Sequence, residues 1–238
     1  MPLGNLFKIS QVDRNNFCIK IIEASAPNVD YYFLVILSTL IVALGLLADN
    51  IILVIGGMLV TPILSLLLAI ALGLVINEKK VLFRSLRIFG VSLAFALLIA
   101  FLTGLASGVD IEKLELIAKM KPSLLTLLIA IVAGLAASYT WAKPNLNDTL
   151  PGVAVTVTLI PPLTALGLTA SHFEWILFRN VLNVFLLNII GIILASILIF
   201  SLMEFYKAKR KAVEEVKEEE AEILKIKKIN KEKKIAKK

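Results

Sequence analysis

Cysteine and histidine are almost absent from the chain: Cys18 and His172 are the single examples of each in 238 residues. One cysteine excludes an intrachain disulfide and any cysteine-based metal site. One histidine leaves no His/Asp cluster, no H-E-x-x-H motif occurs, and His172, next to an outer loop, reads as a surface residue. There is no G-x-x-x-x-G-K-[ST] phosphate loop, which argues against ATP-driven transport by this chain alone. No Ser/His/Asp set lies at a plausible depth, and Gly134-x-x-x-Ser138 reads as helix packing rather than a nucleophile elbow. These absences point away from an enzyme and imply no cofactor and no bound metal.

Charge is scarce as well. Charged residues make up 18 % of the chain, 58 % are hydrophobic, and the mean hydropathy is +0.89. A soluble domain is about half apolar and about a quarter charged, so this balance excludes an ordinary soluble enzyme and a disordered chain. The charge is also segregated. Residues 204–238 carry 13 Lys/Arg and 8 Asp/Glu, which is +5 of the net +7. The basic character belongs to a tail and implies no nucleic-acid partner.

What the sequence has in abundance is long apolar runs. A bilayer core about 30 Å thick needs about 20 apolar residues of helix. Six stretches fit: 31–48, 51–76, 88–106, 124–141, 152–170 and 176–203. They are continuous rather than alternating, so they read as helices and not as barrel strands. The expected fold class is therefore all-α, a polytopic membrane protein with six transmembrane helices. The first run does not read as a secretory signal, because nothing apolar precedes Ala24-Ser25-Ala26.

Basic residues in short loops set orientation. Lys79, Lys80, Arg84 and Arg87 follow the second run, Lys8, Arg14 and Lys20 precede the first, and thirteen basic residues lie in the tail. The alternate loops are poorer or balanced. This predicts a cell-membrane protein with both termini cytoplasmic. Five segments follow: a short N-terminal segment 1–30, a first three-span unit 31–107, an interfacial linker helix 108–121, a second three-span unit 122–203, and a charged helical tail 204–238. The tail reads either as a solvated helix extending the last span or as a coiled coil seamed by Ala212, Val216, Ile223 and Ile226.

The two halves share a pattern. Val60-Thr61-Pro62-Ile63-Leu64-Ser65 in the second run parallels Ile160-Pro161-Pro162-Leu163-Thr164-Ala165 in the fifth, and Val81-Leu82-Phe83-Arg84-Ser85 parallels Ile176-Leu177-Phe178-Arg179-Asn180. A repeat of three spans is inverted relative to its partner, the architecture of many transporters. Gly56, Gly57 and Pro62 interrupt the second run, and Pro161 and Pro162 interrupt the fifth. Proline removes a donor and clashes with the preceding turn, so both spans are expected to break. Irregular backbone at membrane depth must be buried in protein or line a wet cavity. A packed, merely kinked helix is the plainer alternative.

Polar residues at depth complete the candidate centre. Thr61, Ser65, Thr156, Thr158 and Thr164 flank the breaks. Asp49 either caps a tight outer turn with Asn50 or serves as a cation site. Asn180 and Asn183 share a helix face, with Asn188 nearby, and must face protein or water. Small residues four apart, Gly104/Gly108, Gly134/Ser138, Gly167/Ser171 and Gly191/Ala195, permit close helix approach within or between subunits.

Two ordered signatures resemble those of the domain-of-unknown-function 389 family. One runs through Gly45–Asn50 and Ile55–Ile63, the other through Leu150–Val155 and Leu159–Leu163, with the 180–191 stretch similar to the family's closing span. The resemblance covers residues 31–203. It implies a polytopic membrane protein of bacteria or archaea and supplies no substrate. Some members carry a larger soluble N-terminal region, where this chain has 30 residues. Together the observations predict a channel or secondary transporter for a small ion or solute, working as a homo-oligomer in membrane lipid. The expected centre is Asp49, Gly56, Gly57, Thr61, Pro62, Thr158, Pro161, Pro162, Asn180 and Asn183. The alternative is a structural or assembly protein acting through its charged tail.

Overall fold

A computed structural model describes residues 7, 9–143, 146, 151–208, 213, 214 and 216–218, with 151–158 as backbone. All regular structure among them is helical. The first helix, α1 (Gln11–Ala24), starts at Ser10, whose hydroxyl accepts the Asp13 amide at 3.1 Å. Its buried residues, Arg14, Phe17, Cys18, Ile21 and Ile22, recur at helical spacing on one face. That face packs on α4, on α7 and on the short 3-10 turn Phe205–Ala208. Phe17 stacks with Phe200 and Phe205 at centroid distances of 5.2 and 4.6 Å.

The apolar runs become α2 (Val29–Leu47), α3 (Ile51–Met58), α4 (Ile63–Val75), α5 (Lys79–Ser107), α7 (Leu124–Ala142), α8 (Pro151–Ser171) and α9 (Trp175–Leu202). Of these, α2, α5, α7 and α9 are each long and apolar enough to cross a bilayer, and α3 with α4 makes a fifth if the bent pair is one span. Residues 108–121, expected as one surface helix, divide into a 3-10 turn Ile111–Lys113 and the four-residue α6 (Glu115–Ala118).

Close approaches fix the relative directions. A Cβ on Gly45 would meet Val54 N at 2.8 Å and one on Gly57 would meet Val42 Cγ2 at 2.6 Å, so α2 and α3 form a tight antiparallel hairpin. Gly73 sits 2.9 Å from Leu82 N in the same sense, pairing α4 with α5. Gly104 meets Ser171 and Gly167 meets Ala100, so α5 and α8 run parallel. Gly134 meets Ile192 and Ala195, Gly191 meets Ala130, and Ser138 Oγ bonds Ser196 Oγ at 2.7 Å, so α7 and α9 also run parallel. The small-residue seams therefore close inside the chain. Gly108 is the exception: it has no neighbour and ends α5 at φ 61°, a left-handed cap that favours glycine.

The core is centred on α4. Every residue from Ile63 to Gly73 is buried, with α5, α9, α1 and α8 packed around it. α9 does not continue into the tail as a single helix. It stops at Leu202, Glu204 adopts φ 57°, and Val216 from the tail is buried in the same core.

A further expectation is corrected. The fifth run is not broken at Pro161-Pro162, because α8 is helical throughout from Pro151 to Ser171. Both prolines and their neighbours from Leu159 to Thr169 are buried. Proline is tolerated inside a membrane helix when surrounding helices hold the backbone in place. Each proline removes one donor, so the carbonyls of residues 157 and 158 have no amide at i+4 to accept from.

Candidate functional site

The second run does break. α3 and α4 meet at 54° across residues 59–62. Three reasons are local. Gly57 is pressed against α2, so α3 cannot shift sideways. The α3 end tightens: the Val60 amide donates to Gly57 O at 3.2 Å and the Thr61 amide to Met58 O at 3.4 Å. Pro62 lacks an amide and becomes the N-cap of α4. Ser38 Oγ on α2 also donates to Gly57 O at 2.9 Å, stapling the hairpin at the break. Ser38 was not among the sequence candidates. Its only signal is the Ser38-Thr39 pair of hydroxyls in an apolar run.

The break is polar in an unusual way. α4 starts with no side-chain cap, although Ile63, Leu64 and Ser65 are buried. The Ser65 hydroxyl is committed elsewhere, to Pro62 O and Ala24 O, both at 2.9 Å. Thr61 is 8 % exposed and its Oγ1 has no partner. On α8, Thr164 is fully buried and its Oγ1 is likewise unpartnered. Two orphan hydroxyls thus mark the two segments that the sequence pairs. An unmade bond at a buried polar atom costs about 1–3 kcal/mol.

The other sequence candidates are dispersed. Gly56 faces open space on the outer side of α3, with nothing within 4 Å of a Cβ. Asp49 is exposed at φ 49° and accepts the Glu115 and Leu116 amides at 3.3 and 2.9 Å. Its carboxylate therefore caps α6, while Asn50 caps α3 by accepting from Ile52 and Leu53. Asn180 is half-buried, Asn183 is exposed, and Asn188 is buried. The three do not form one sheltered stripe. The side chain of Thr158 lies outside the described residues. His172 is half-buried and bonds Ser171 Oγ at 2.9 Å.

Two charged anchors frame the end of the bundle that carries α1. Arg14 is buried, donates to Met203 O at 2.8 Å and pairs with Glu204 at 3.1 Å. Arg84 donates to Ser25 Oγ at 3.1 Å and Ile22 O at 3.3 Å, at the C-terminus of α1. At the opposite end a hydrogen bond with Glu112 raises the Glu174 carboxyl above the usual range, and Asp110 is held below it by its hydrogen bond to Lys113. No group of three or more His, Cys, Asp or Glu among the described residues could hold a metal ion.

The sequence model of the domain-of-unknown-function family DUF389 matches residues 58–194, more than half of the chain and inclusive of the break, α8 and most of α9. This chain belongs to the DUF389 family. An uncharacterised protein of Methanocaldococcus jannaschii is 27 % identical over 170 residues, covering 71 % of this chain and 52 % of that protein. The chain thus spans about half the length of that relative. No solved structure matches.

Proposed function

We propose that this DUF389 protein is a channel or secondary transporter for a small ion or solute, acting as a homo-oligomer. The observation that carries the reading is the break at residues 59–62, where an uncapped helix start and the buried, unpartnered Thr61 hydroxyl lie within one turn of each other. Polar groups left unmade inside a packed bundle stay there at a free-energy cost. A site that exchanges them for a passing solute explains why they are kept.

Six spans in two inverted three-span units fit the directions of the helices. α5 runs parallel to α8 across the units, and α4 packs on α9 in the reciprocal pairing. Each pairing joins the second span of one unit to the third span of the other, and a pseudo-two-fold axis would exchange the two pairings. Lys79, Lys80, Arg84, Arg87, Arg14 and Lys20 gather at the α1 end, whereas at the other Lys113 and Lys119 are paired with Asp110 and Glu115, beside Asp49, Glu112 and Glu174. That supports cytoplasmic termini in a cell membrane.

Self-association is supported by Asn183. It is exposed on α9 eight positions after Trp175, about 12 Å along the helix. It heads a stripe of exposed Leu186, Ile190 and Leu194. An amide facing hydrocarbon is unfavourable, and a second copy supplies a partner. Catalysis has no support in these residues.

The test is flux. Purified chain in proteoliposomes is assayed against a panel of monovalent and divalent ions, with single-channel recording in parallel. Transport of one or more species above protein-free vesicles is the expected result. No flux for any species would remove the reading.

A further inference from the structure

We infer that the mouth of α4 is a binding site for a small monovalent anion of the halide or nitrate type, and that this anion is the transported species. The inference rests on the transport reading above and adds to it the sign of the charge.

The donors come first. In a helix the amides of the first turn have no carbonyl behind them. In α4 these are the amides of Ile63, Leu64 and Ser65, since Pro62 has none, and no described side chain caps them. The three residues are 1, 3 and 4 % exposed, so bulk water does not serve them. The Thr61 hydroxyl precedes the cap, is shielded from solvent and has no partner. Covalent geometry keeps it within about 7 Å of the Ile63 amide. Three amides and a hydroxyl thus lie within one turn of chain at the positive end of a 13-residue helix. That helix end carries about half an elementary charge. Amides donate and cannot accept, which excludes a cation, and the dipole of the helix start favours negative charge.

The surroundings agree. Runs 31–48, 51–77, 88–109, 124–147, 149–173 and 175–203 contain no Asp or Glu. Intramembrane cation and proton pathways are marked by such carboxylates. Asp49, the nearest by sequence, is exposed and occupied with the amides of Glu115 and Leu116. Arg84 sits at the C-terminus of α1, beside Ala24, whose carbonyl accepts the Ser65 hydroxyl at 2.9 Å. Its charge raises the local potential without filling the α4 amides. The opposing feature is the pair of carbonyls freed by Pro161 and Pro162. Two neutral oxygens fall short of the six or so that a desolvated hard cation needs.

Valence follows from the same count. About half a charge and four neutral donors suit one negative charge. A buried divalent oxyanion needs cationic forks, and none of the described residues at the break supplies one.

Proteoliposomes holding the full chain are loaded in turn with potassium iodide, chloride and nitrate, and efflux is followed with valinomycin present. Sodium and potassium uptake are measured separately without the ionophore. Halide or nitrate efflux is expected, with cation uptake at the level of protein-free vesicles. T61V should lower anion efflux about tenfold and T61S should retain it. A bromide soak of wild-type crystals is independent of any variant and should place bromide within hydrogen-bond distance of the Ile63 and Leu64 amides. Cation flux without anion flux overturns the anion assignment and leaves the transport reading standing. Anion flux unchanged in T61V, with no bromide at α4, overturns the site alone. Bromide at α4 with no flux of any ion upholds the site and overturns its anion as cargo, together with the transport reading. No bromide and no flux overturn both.

Discussion

The guanidinium of Arg14 lies 3.1 Å from the Glu204 carboxylate, across 190 residues of sequence. This contact and the bond from Arg14 to Met203 O hold α1 against the exit of α9. The Phe17, Phe200 and Phe205 rings pack in the same joint.

R14A therefore loosens α1 before it unfolds the bundle. Losing buried hydrogen bonds from a charged group costs about 2 kcal/mol. Cys18, fully buried on the same helix face, is the reporter: burial pushes its thiol up to about 12. Maleimide labelling at pH 8 should be at least about a hundredfold slower than for a free thiol, and R14A should restore much of that rate while α2 to α9 stay protected from hydrogen exchange. Equal labelling of wild type and R14A would remove the latch.

Acid should act on the same joint. A hydrogen bond from Lys207, and then the charges of Lys207 and Arg14, hold the Glu204 carboxyl below the usual range. A carboxylate depressed on folding contributes stability above its unfolded pKa and loses it as pH falls through the folded value. Cys18 labelling, extrapolated to a common thiolate fraction, should therefore rise on acidification below about pH 4, and E204Q should abolish that rise.

Glu174 has the opposite sign. Its hydrogen bond with Glu112 raises its pKa, so the pair contributes stability at low pH and loses it as pH rises through the folded value. Amides of 111–118, corrected for intrinsic exchange, should be better protected below that value than at neutral pH. E174Q, which keeps the bond without the charge, should flatten the profile. Asp110, held down by Lys113, works against this trend, so the difference between wild type and E174Q is the quantity to read.

Neighbouring glycines should respond in opposite ways. A methyl at Gly57 would strike Val42 Cγ2 at 2.6 Å and its amide at 3.0 Å, whereas one at Gly56 meets nothing within 4 Å. G57A should cost about 1–3 kcal/mol by forcing the α2–α3 hairpin apart. G56A should be neutral or gain up to about 1 kcal/mol from helix propensity. Thermal unfolding in one detergent, with both variants side by side, decides it.

At Asp49 the cap and the backbone can be separated. D49N keeps an oxygen acceptor and tolerates positive φ, whereas D49A does neither. D49A should lose about 1 kcal/mol, most of it as faster exchange at the Leu116 amide, and D49N much less.

The apolar runs told most of the fold because hydrocarbon thickness is read from length alone. Run 31–48 became α2 (Val29–Leu47) and run 124–141 became α7 (Leu124–Ala142). The breaks were half legible. Proline signalled both, yet only the one at Pro62 opened. There Gly57 is trapped on α2 and Ser38 ties off its carbonyl, while Pro161 and Pro162 are encased by neighbours and lie within one continuous helix. A local motif cannot carry that difference, which belongs to the packing. Thr61 and Pro62 could be placed at the break from sequence because they sit at the interruption itself. Asp49 was read as a cap or a cation site, but its partner 66 and 67 residues away had no sequence signal. Arg14 and Glu204 were invisible for the same reason.

The burial of α4 on every side, from Ile63 to Gly73, makes its tolerance to change unlike that of its neighbours. Saturation mutagenesis along α5 or α9 should reveal permissive sites every three to four positions, where side chains meet acyl chains. Along α4 that rhythm should vanish, leaving eleven successive intolerant positions.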